Sequence, residues 1–206
     1  MSTTPSTGHY PLNGNTALIF IEFQNEWLSP QGKLRTMLVE DDVAFASAIK
    51  QGKALLEKGR ASNALVIHVC LRPDGAYRVL GQAKYGLRAA IPHARTWQHE
   101  MADIHHDFMP LPGELVITER TGASAFAGSM LDSVLRNNHI DTLYLAGFAS
   151  HVCVESTLRQ AHDIGYETCV VTDATAAFNG KQQDYFETQI LHHFGKGITV
   201  AEITAA

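Results

Sequence analysis

The sequence has no excess of positive charge and no long apolar run. Its 206 residues carry 16 Lys and Arg against 21 Asp and Glu, a formal net charge of −5, whereas nucleic-acid-binding domains usually carry a basic excess. No apolar stretch reaches the ~18 residues of a membrane-spanning helix, and residues 1–15 lack the basic and then apolar segments of a signal peptide. We therefore expect a protein that binds neither nucleic acid nor membrane.

Cysteine is also scarce. The three cysteines, Cys70, Cys153 and Cys169, are an odd number in unrelated sequence contexts, which argues against a disulfide scaffold and favours a reducing compartment. We accordingly expect a cytoplasmic location. Whether one of the three is a reactive thiol is decided by its position in the fold.

The chain alternates short apolar runs with helical patterns. The runs typical of buried strands are 16–21, 64–71, 115–117, 142–146, 168–172 and 198–201, and the helical patterns are 41–58, 129–138, 154–164 and 185–194. Continuous apolar strands separated by helices are typical of a parallel sheet covered on both faces. We predict an α/β fold, a three-layer α/β/α sandwich with a mostly parallel, six-stranded, Rossmann-like sheet. The sandwich would form a single domain over 16–206, preceded by a flexible leader at 1–15.

Residues 72–112 do not fit this alternation, because they are rich in proline and glycine with scattered aromatic residues. Long excursions of this kind are often lids or partner-binding loops. A surface insertion packed on its own aromatic residues is the alternative.

Three reactive side chains follow predicted strand ends, where ligands bind in a doubly wound sheet. Glu22 follows the first strand, Arg120 follows the third and Cys153 follows the fourth. A carboxylate, a cation and a thiol at one sheet edge predict a nucleophilic site. Glu22 also has two non-catalytic interpretations. It could be a strand-end charge that reaches solvent, or one partner of a structural ion pair with Arg120.

Cys153 has the strongest local case for reactivity, because it lies between a short turn and a predicted helix. A thiol in the first helical turn meets the positive end of the helix dipole, which favours the thiolate, and unpaired N–H groups that can bind an oxyanion. Cys70 and Cys169 lie inside apolar runs and are interpreted as small buried hydrophobes.

Several further side chains are candidates for substrate contact. They are the aromatic residues near the predicted site mouth together with one histidine of the nucleophile turn: Phe23, Trp27, Trp97, Phe126 and His151. Core packing is the alternative for the aromatic residues, and completing the hydrogen bonds of the turn is the alternative for the histidine.

The segments ALIFIEFQNEW, ITERTGASAF and GFASHVCVESTLRQAHDIGY resemble the sequence blocks of the isochorismatase-like cysteine hydrolases, over about residues 16–203. That family includes nicotinamidases, N-carbamoylsarcosine amidohydrolases and ureidoacrylate amidohydrolases. The resemblance implies that Cys153 is the nucleophile and that the backbone N–H groups of Ala149 and Cys153 form the oxyanion hole. It also implies a cis peptide bond between Ala149 and Ser150.

Two positions depart from the family pattern, because Glu22 stands where the family has Asp and Arg120 stands where it has Lys. Both changes keep the sign of the charge. Arginine cannot lose its proton near neutral pH, so Arg120 is left with charge stabilisation, while Glu22 can still transfer protons. A bidentate Glu22–Arg120 pair that locks both groups away from catalysis is the competing outcome.

The 11 histidines give no metal site in this interpretation. Family members with a metal build it on an Asp-x-His motif after the second strand, where this chain has Arg72 and Pro73. The adjacent pairs His105–His106 and His192–His193 lack ligand spacing. We expect no metal and no other cofactor.

The leading hypothesis is a cysteine hydrolase, an amidohydrolase that cleaves a C–N bond of a small-molecule amide through a Cys153 thioester. One alternative is vinyl-ether hydrolysis as in true isochorismatases, and another is a catalytically silent binding member with a Glu22–Arg120 ion pair. The resemblance further implies a homo-oligomer, a dimer or tetramer, with 72–112 at an interface.

Overall fold

The structure is a computed structural model that describes residues 10–205. Its strands are β1 (Tyr10–Leu12), β2 (Thr16–Ile21), β3 (Leu65–Val69), β4 (Leu115–Ile117), β5 (Thr142–Phe148), β6 (Glu167–Ala176), β7 (Lys196–Ile198) and β8 (Ile203–Ala205). Six of them form a parallel sheet in the order β4-β3-β2-β5-β6-β7, and β1 pairs in parallel with β8. The predicted six-stranded parallel sheet is confirmed.

Helices connect the strands. They are α1 (Asn25–Leu28), α2 (Lys33–Leu38), α3 (Asp42–Arg60), α4 (Leu87–Ala94), α5 (Leu131–Asn137), α6 (Glu155–Asp163), α7 (Gly180–Tyr185) and α8 (Leu191–Phe194). Two π-helical segments, Ser150–Val154 and Phe186–Ile190, directly precede α6 and α8. No helix within residues 10–205 is long and apolar enough to cross a bilayer.

The sheet separates two apolar cores, because successive side chains of a strand point to opposite faces. On one face Phe20 of β2 packs in a cluster with Phe45 of α3. On the other face Ile19 of β2 shares a cluster with Leu131 of α5 and Leu158 of α6. The predicted α/β/α sandwich is confirmed, and the carboxyl ends of its strands form one edge.

The two ends of the described chain differ from the sequence prediction. Residues 1–9 of the predicted leader lie outside the described residues, but Tyr10–Leu12 form β1, and Leu12 is fully buried. The last sheet strand is Lys196–Ile198 rather than 198–201. It ends there because Thr199 begins a 3₁₀ turn closed by a capping box, its N–H donating to Glu202 Oε2 at 2.7 Å.

Gly147 brings the ends of two central strands into close contact. It has φ +127°, and a Cβ at this position would lie 1.9 Å from the carbonyl oxygen of Ile21. Only glycine permits this approach. The residue after Ile21 is Glu22, so the end of β5 is held directly beside this carboxylate.

Candidate active site

The structure brings Glu22, Arg120 and Cys153 together at the carboxyl edge of the sheet. Cys153 Sγ lies 3.1 Å from Glu22 Oε1 and donates to it. The Arg120 guanidinium donates to the same carboxylate oxygen and forms an ion pair with it. All three side chains are buried. Three residues that span 131 positions of the sequence therefore form one hydrogen-bonded cluster, as their strand-end positions predicted.

Glu22 is held in place by its backbone and by both carboxylate oxygens. Its φ of +57° is in the left-handed region, which is uncommon for a residue other than glycine, and its N–H donates to the carbonyl of Val69 at 2.9 Å. The indole Nε1 of Trp27 donates to Oε2 at 2.6 Å. Oε1 is thus left to the thiol and the guanidinium, and Trp27 fixes the orientation of the carboxylate.

Arg120 forms the ion pair that the sequence analysis gave as a competing outcome. Its second terminal nitrogen donates to the carbonyl of Ala123 at 2.8 Å, and its Nε is buried without a partner among residues 10–205. The pair does not sequester the carboxylate, because Glu22 also accepts the Cys153 thiol. Proton transfer from Cys153 to Glu22 is therefore geometrically open.

Thr157, which the sequence analysis did not single out, connects the thiol segment to the loop that carries Arg120. Its hydroxyl donates to the carbonyl of Cys153 at 2.7 Å and accepts from the N–H of Ala125 at 2.9 Å. A hydroxyl with two buried backbone partners locks both segments in register. Its only signal in the sequence is a threonine one turn after the thiol.

Gln24 is a second such connection, and it lies inside the quoted ALIFIEFQNEW segment. Its side chain accepts from the N–H of Leu71 at 2.8 Å and donates to the carbonyls of Leu71 at 3.0 Å and Ala102 at 2.5 Å. This fully buried amide joins the ends of β2 and β3 to the segment 72–112.

A cavity of about 60 Å³ borders the cluster. We call Glu22, Arg120, Ala149 and Cys153 its floor, and Leu80, Leu87, Ile91 and Trp97 its roof. The other lining residues are Trp27, Leu34, Leu38, Leu71, Arg88, Thr121, Gly122, Ala123, Val152 and Phe178. All four roof residues come from the segment 72–112, so this predicted excursion covers the candidate site.

The two tryptophans among the predicted substrate contacts line the cavity, whereas Phe23 and Phe126 do not. Phe23 packs on Phe108 in the first core, with ring centroids 4.3 Å apart. Phe126 stacks on Tyr166 at 5.9 Å in the second core. Both phenylalanines follow the core-packing alternative in this structure, because each ring points into a core rather than out of the sheet edge.

His151 also lies outside the cavity lining. Its ring meets the edge of Phe178 at a centroid distance of 4.7 Å, and its side chain borders a separate recess with Glu155 and Tyr185. Burial lowers the pKa of His151, an effect that the Glu155 carboxylate opposes. His151 therefore faces this recess rather than the floor, and its contact with a substrate stays a prediction.

The backbone at the floor differs from the prediction by one residue. The cis peptide bond joins Phe148 and Ala149, not Ala149 and Ser150. Strand β5 ends at Phe148 and the π-helical segment begins at Ser150, so the cis bond falls directly at the end of the strand. Ala149 and Cys153 both line the cavity, and their role as an oxyanion hole stays a prediction.

The other two thiols have a different environment. Burial raises the pKa of Cys70 to about 12 and that of Cys169 to about 11. Neither lines the cavity. Cys70 is the small buried hydrophobe that the sequence predicted, whereas Cys169 is half-buried against the core. Both provide controls for Cys153.

The rings of His105 and His106 lie closer together in the structure than their spacing in the sequence indicated. His105, His106 and Asp107 place potential ligand atoms within 4.8 Å of one another, because a 3₁₀ turn brings the two rings to a centroid distance of 4.0 Å. Asp107 already pairs with Lys53 at 2.9 Å. The group lies outside the cavity lining, so it gives the floor no metal ligand.

Comparison with known proteins identifies relatives across most of the chain. A family model described as Isochorismatase domain matches residues 16–202. The ureidoacrylate amidohydrolase RutB of Caulobacter segnis is 33% identical over 176 residues, which cover 78% of this chain and 72% of that protein. A secreted isochorismatase effector of Verticillium dahliae is 28% identical over 160 residues, with coverages of 78% and 72%. The solved structure of an isochorismatase family protein from Burkholderia thailandensis has a TM-score of 0.80 at 26% identity, and the match covers 95% of this chain and 97% of that one.

Proposed function

The chain belongs to the isochorismatase family of hydrolases, and from this membership we propose that it is a cysteine hydrolase that cleaves the C–N bond of a small amide. The observation that carries the proposal is the buried contact of 3.1 Å between Cys153 Sγ and Glu22 Oε1 at the floor of the cavity. A thiol paired with a carboxylate beside a cation is the arrangement of an activated nucleophile. The relative named as a ureidoacrylate amidohydrolase supports a C–N bond as the target.

In the first half-reaction Glu22 accepts the thiol proton, and the Cys153 thiolate attacks the amide carbonyl carbon. The carbonyl electron pair moves to oxygen, where the N–H groups of Ala149 and Cys153 stabilise the oxyanion. The tetrahedral intermediate then expels the amine, which takes the proton from Glu22. The product on the enzyme is a Cys153 thioester.

In the second half-reaction Glu22 removes a proton from water, and the resulting hydroxide attacks the thioester carbonyl. Collapse of this intermediate breaks the C–S bond, releases the acid and returns the proton to Cys153. Arg120 holds the Glu22 carboxylate throughout and supplies positive charge to the floor. The sum is amide plus water giving acid plus amine.

The Glu22–Arg120 pair also supports a second candidate, a catalytically silent binding protein. In that case the pair is a structural element and the cavity only binds a small molecule. The Cys153 thiol supports the hydrolase over the binding protein. A protein that catalyses no reaction needs no thiol hydrogen-bonded to the Glu22 carboxylate.

The test is ammonia release from a panel of small primary amides and ureides by the wild type, Cys153→Ala and the matched control Cys70→Ala. We expect turnover by the wild type and by Cys70→Ala, and a loss of at least ~10³-fold in Cys153→Ala. Equal activity of Cys153→Ala and the wild type would refute the thioester mechanism. Hydrolysis of isochorismate that resists iodoacetamide would establish vinyl-ether chemistry instead, since that reaction needs an acid and no thiol.

We also propose a cytoplasmic homo-oligomer, a dimer or tetramer, with the segment 72–112 at an interface. Exposed apolar side chains in that segment support the interface, since Tyr85 is 87% and Met109 57% exposed. Three free cysteines support the compartment. Light scattering on a sizing column gives the subunit count, and a single-chain mass would contradict the interface.

A further inference from the structure

The roof and its neighbours give the cavity an almost entirely apolar wall. Leucine, isoleucine and tryptophan make up the roof, and Leu34, Leu38 and Phe178 continue the same surface. Apart from the indole N–H groups of Trp27 and Trp97, polar side-chain groups are confined to the floor, to Thr121 and to Arg88. A ligand that reaches Cys153 therefore rests most of its surface on hydrocarbon, which favours apolar groups.

The charges of the floor are already matched. The Glu22 carboxylate forms an ion pair with Arg120 and neutralises its charge, and both side chains are almost completely buried. Arg88 of α4 also lines the cavity, but it is exposed, so its cation remains hydrated. A carboxylate carried into the cavity would lose its water without gaining a buried cation, which is unfavourable.

The size of the cavity limits the acyl group. Its volume of about 60 Å³ exceeds the ~10–15 Å³ that one water requires. The cavity therefore admits a small group of few non-hydrogen atoms.

We propose that the substrate is a small, uncharged primary amide whose acyl group is aliphatic, and that Leu87 limits the length of that group. This inference rests on the proposed amide hydrolysis and names its substrate class. Leu87 is the suitable residue to vary because it is 42% exposed, so shortening it enlarges the cavity without emptying a core.

The first experiment compares kcat/KM for butyramide and succinamate, two amides of equal acyl length that differ in a terminal carboxylate. We expect butyramide to be preferred by about 100-fold, since burying an unpaired carboxylate is unfavourable. Preference for succinamate, abolished by Arg88→Gln, would overturn the proposal and assign anion recognition to Arg88.

The second experiment measures the ratio of kcat/KM for hexanamide to that for butyramide. We expect Leu87→Ala to raise this ratio about 10-fold, because shortening a side chain that lines the cavity opens space for further methylenes of the acyl group. The control is Leu111→Ala, an exposed leucine of the same segment that does not line the cavity. An unchanged ratio in Leu87→Ala would overturn the role of Leu87.

Different results would refute the proposed substrate class and the proposed amide hydrolysis. Amide hydrolysis that depends on Cys153 but prefers carboxylated substrates overturns only the substrate class. Failure of the wild type to hydrolyse any amide in the panel overturns the proposed function as well.

Discussion

The floor and the roof of the cavity face each other but are built on opposite principles. The floor consists of charged and polar groups held by hydrogen bonds at the ends of buried strands, as in the contacts of Glu22 with Cys153 and Trp27. The roof consists of apolar side chains from the irregular segment 72–112. We therefore expect variants of the floor to lower kcat by the same factor for every substrate. Variants of the roof should instead change kcat/KM by different factors for different substrates.

The largest effect on stability is expected from Arg120→Met, which leaves the Glu22 carboxylate buried without its cation. We expect it to lose about 3–5 kcal/mol of stability and at least ~100-fold in kcat for all amides. The double variant Glu22→Gln/Arg120→Met should regain much of the stability, because no unpaired charge remains, yet stay inactive. Thermal melting and ammonia release measure both effects. A double variant less stable than Arg120→Met would show that the pair does not act through its charge.

The next effect compares the two tryptophans of the cavity. Trp27→Phe removes the donor to Glu22 Oε2, and we expect kcat to fall about 10-fold for all substrates, since a hydrogen bond to a charged group contributes ~1.5–3 kcal/mol. Trp97→Phe is the matched control, because its indole nitrogen has no partner within residues 10–205. We expect that variant to change mainly KM, and by different factors for different amides. Uniform loss of kcat in both variants would erase the distinction between floor and roof.

A smaller effect is expected from Thr157→Val, which removes the hydroxyl between Cys153 and Ala125. Leaving their buried backbone groups without this partner costs ~1–3 kcal/mol. For a chain of this size that cost lowers the melting temperature by about 2–12 °C. Thr188→Val is the control, because the exposed Thr188 makes the same type of bond to the carbonyl of Asp184. Equal melting shifts in the two variants would refute a special role for Thr157.

The smallest effect concerns Glu114, which belongs neither to the floor nor to the roof of the cavity. Burial favours the neutral acid, but hydrogen bonds from Arg60, the Leu111 N–H and His68 prevail and lower the pKa of Glu114 to about 2. Because the folded pKa is depressed, the carboxylate stabilises the fold above its ordinary pKa of 4.5, and this contribution is lost as the pH falls towards 2.

The corresponding variant is Glu114→Gln. We expect its melting temperature to lie below that of the wild type at pH 6 and to converge with it only as the pH falls to about 2, with kcat at pH 7 unchanged. The exposed Glu100→Gln should show no such dependence. A difference that grows on acidification would contradict the assigned sign.

The sequence predicted the floor better than the roof. Glu22, Arg120 and Cys153 each follow an apolar run, and parallel topology alone brings such positions to one edge. Which way Phe23 and Phe126 point could not be predicted, because a ring after a strand end can turn into either core. The role of Trp27 depends on a turn of α1 that brings its indole back to Glu22, and no spacing in the sequence encodes that contact.

The central claim is a thioester on Cys153, and hydroxylamine trapping tests it most directly. A thioester formed from butyramide partitions between water and hydroxylamine, so the account predicts butyrohydroxamate at the expense of butyrate in the wild type and none in Cys153→Ala. Butyrate as the sole acyl product at high hydroxylamine, or equal hydroxamate from Cys153→Ala, would contradict it.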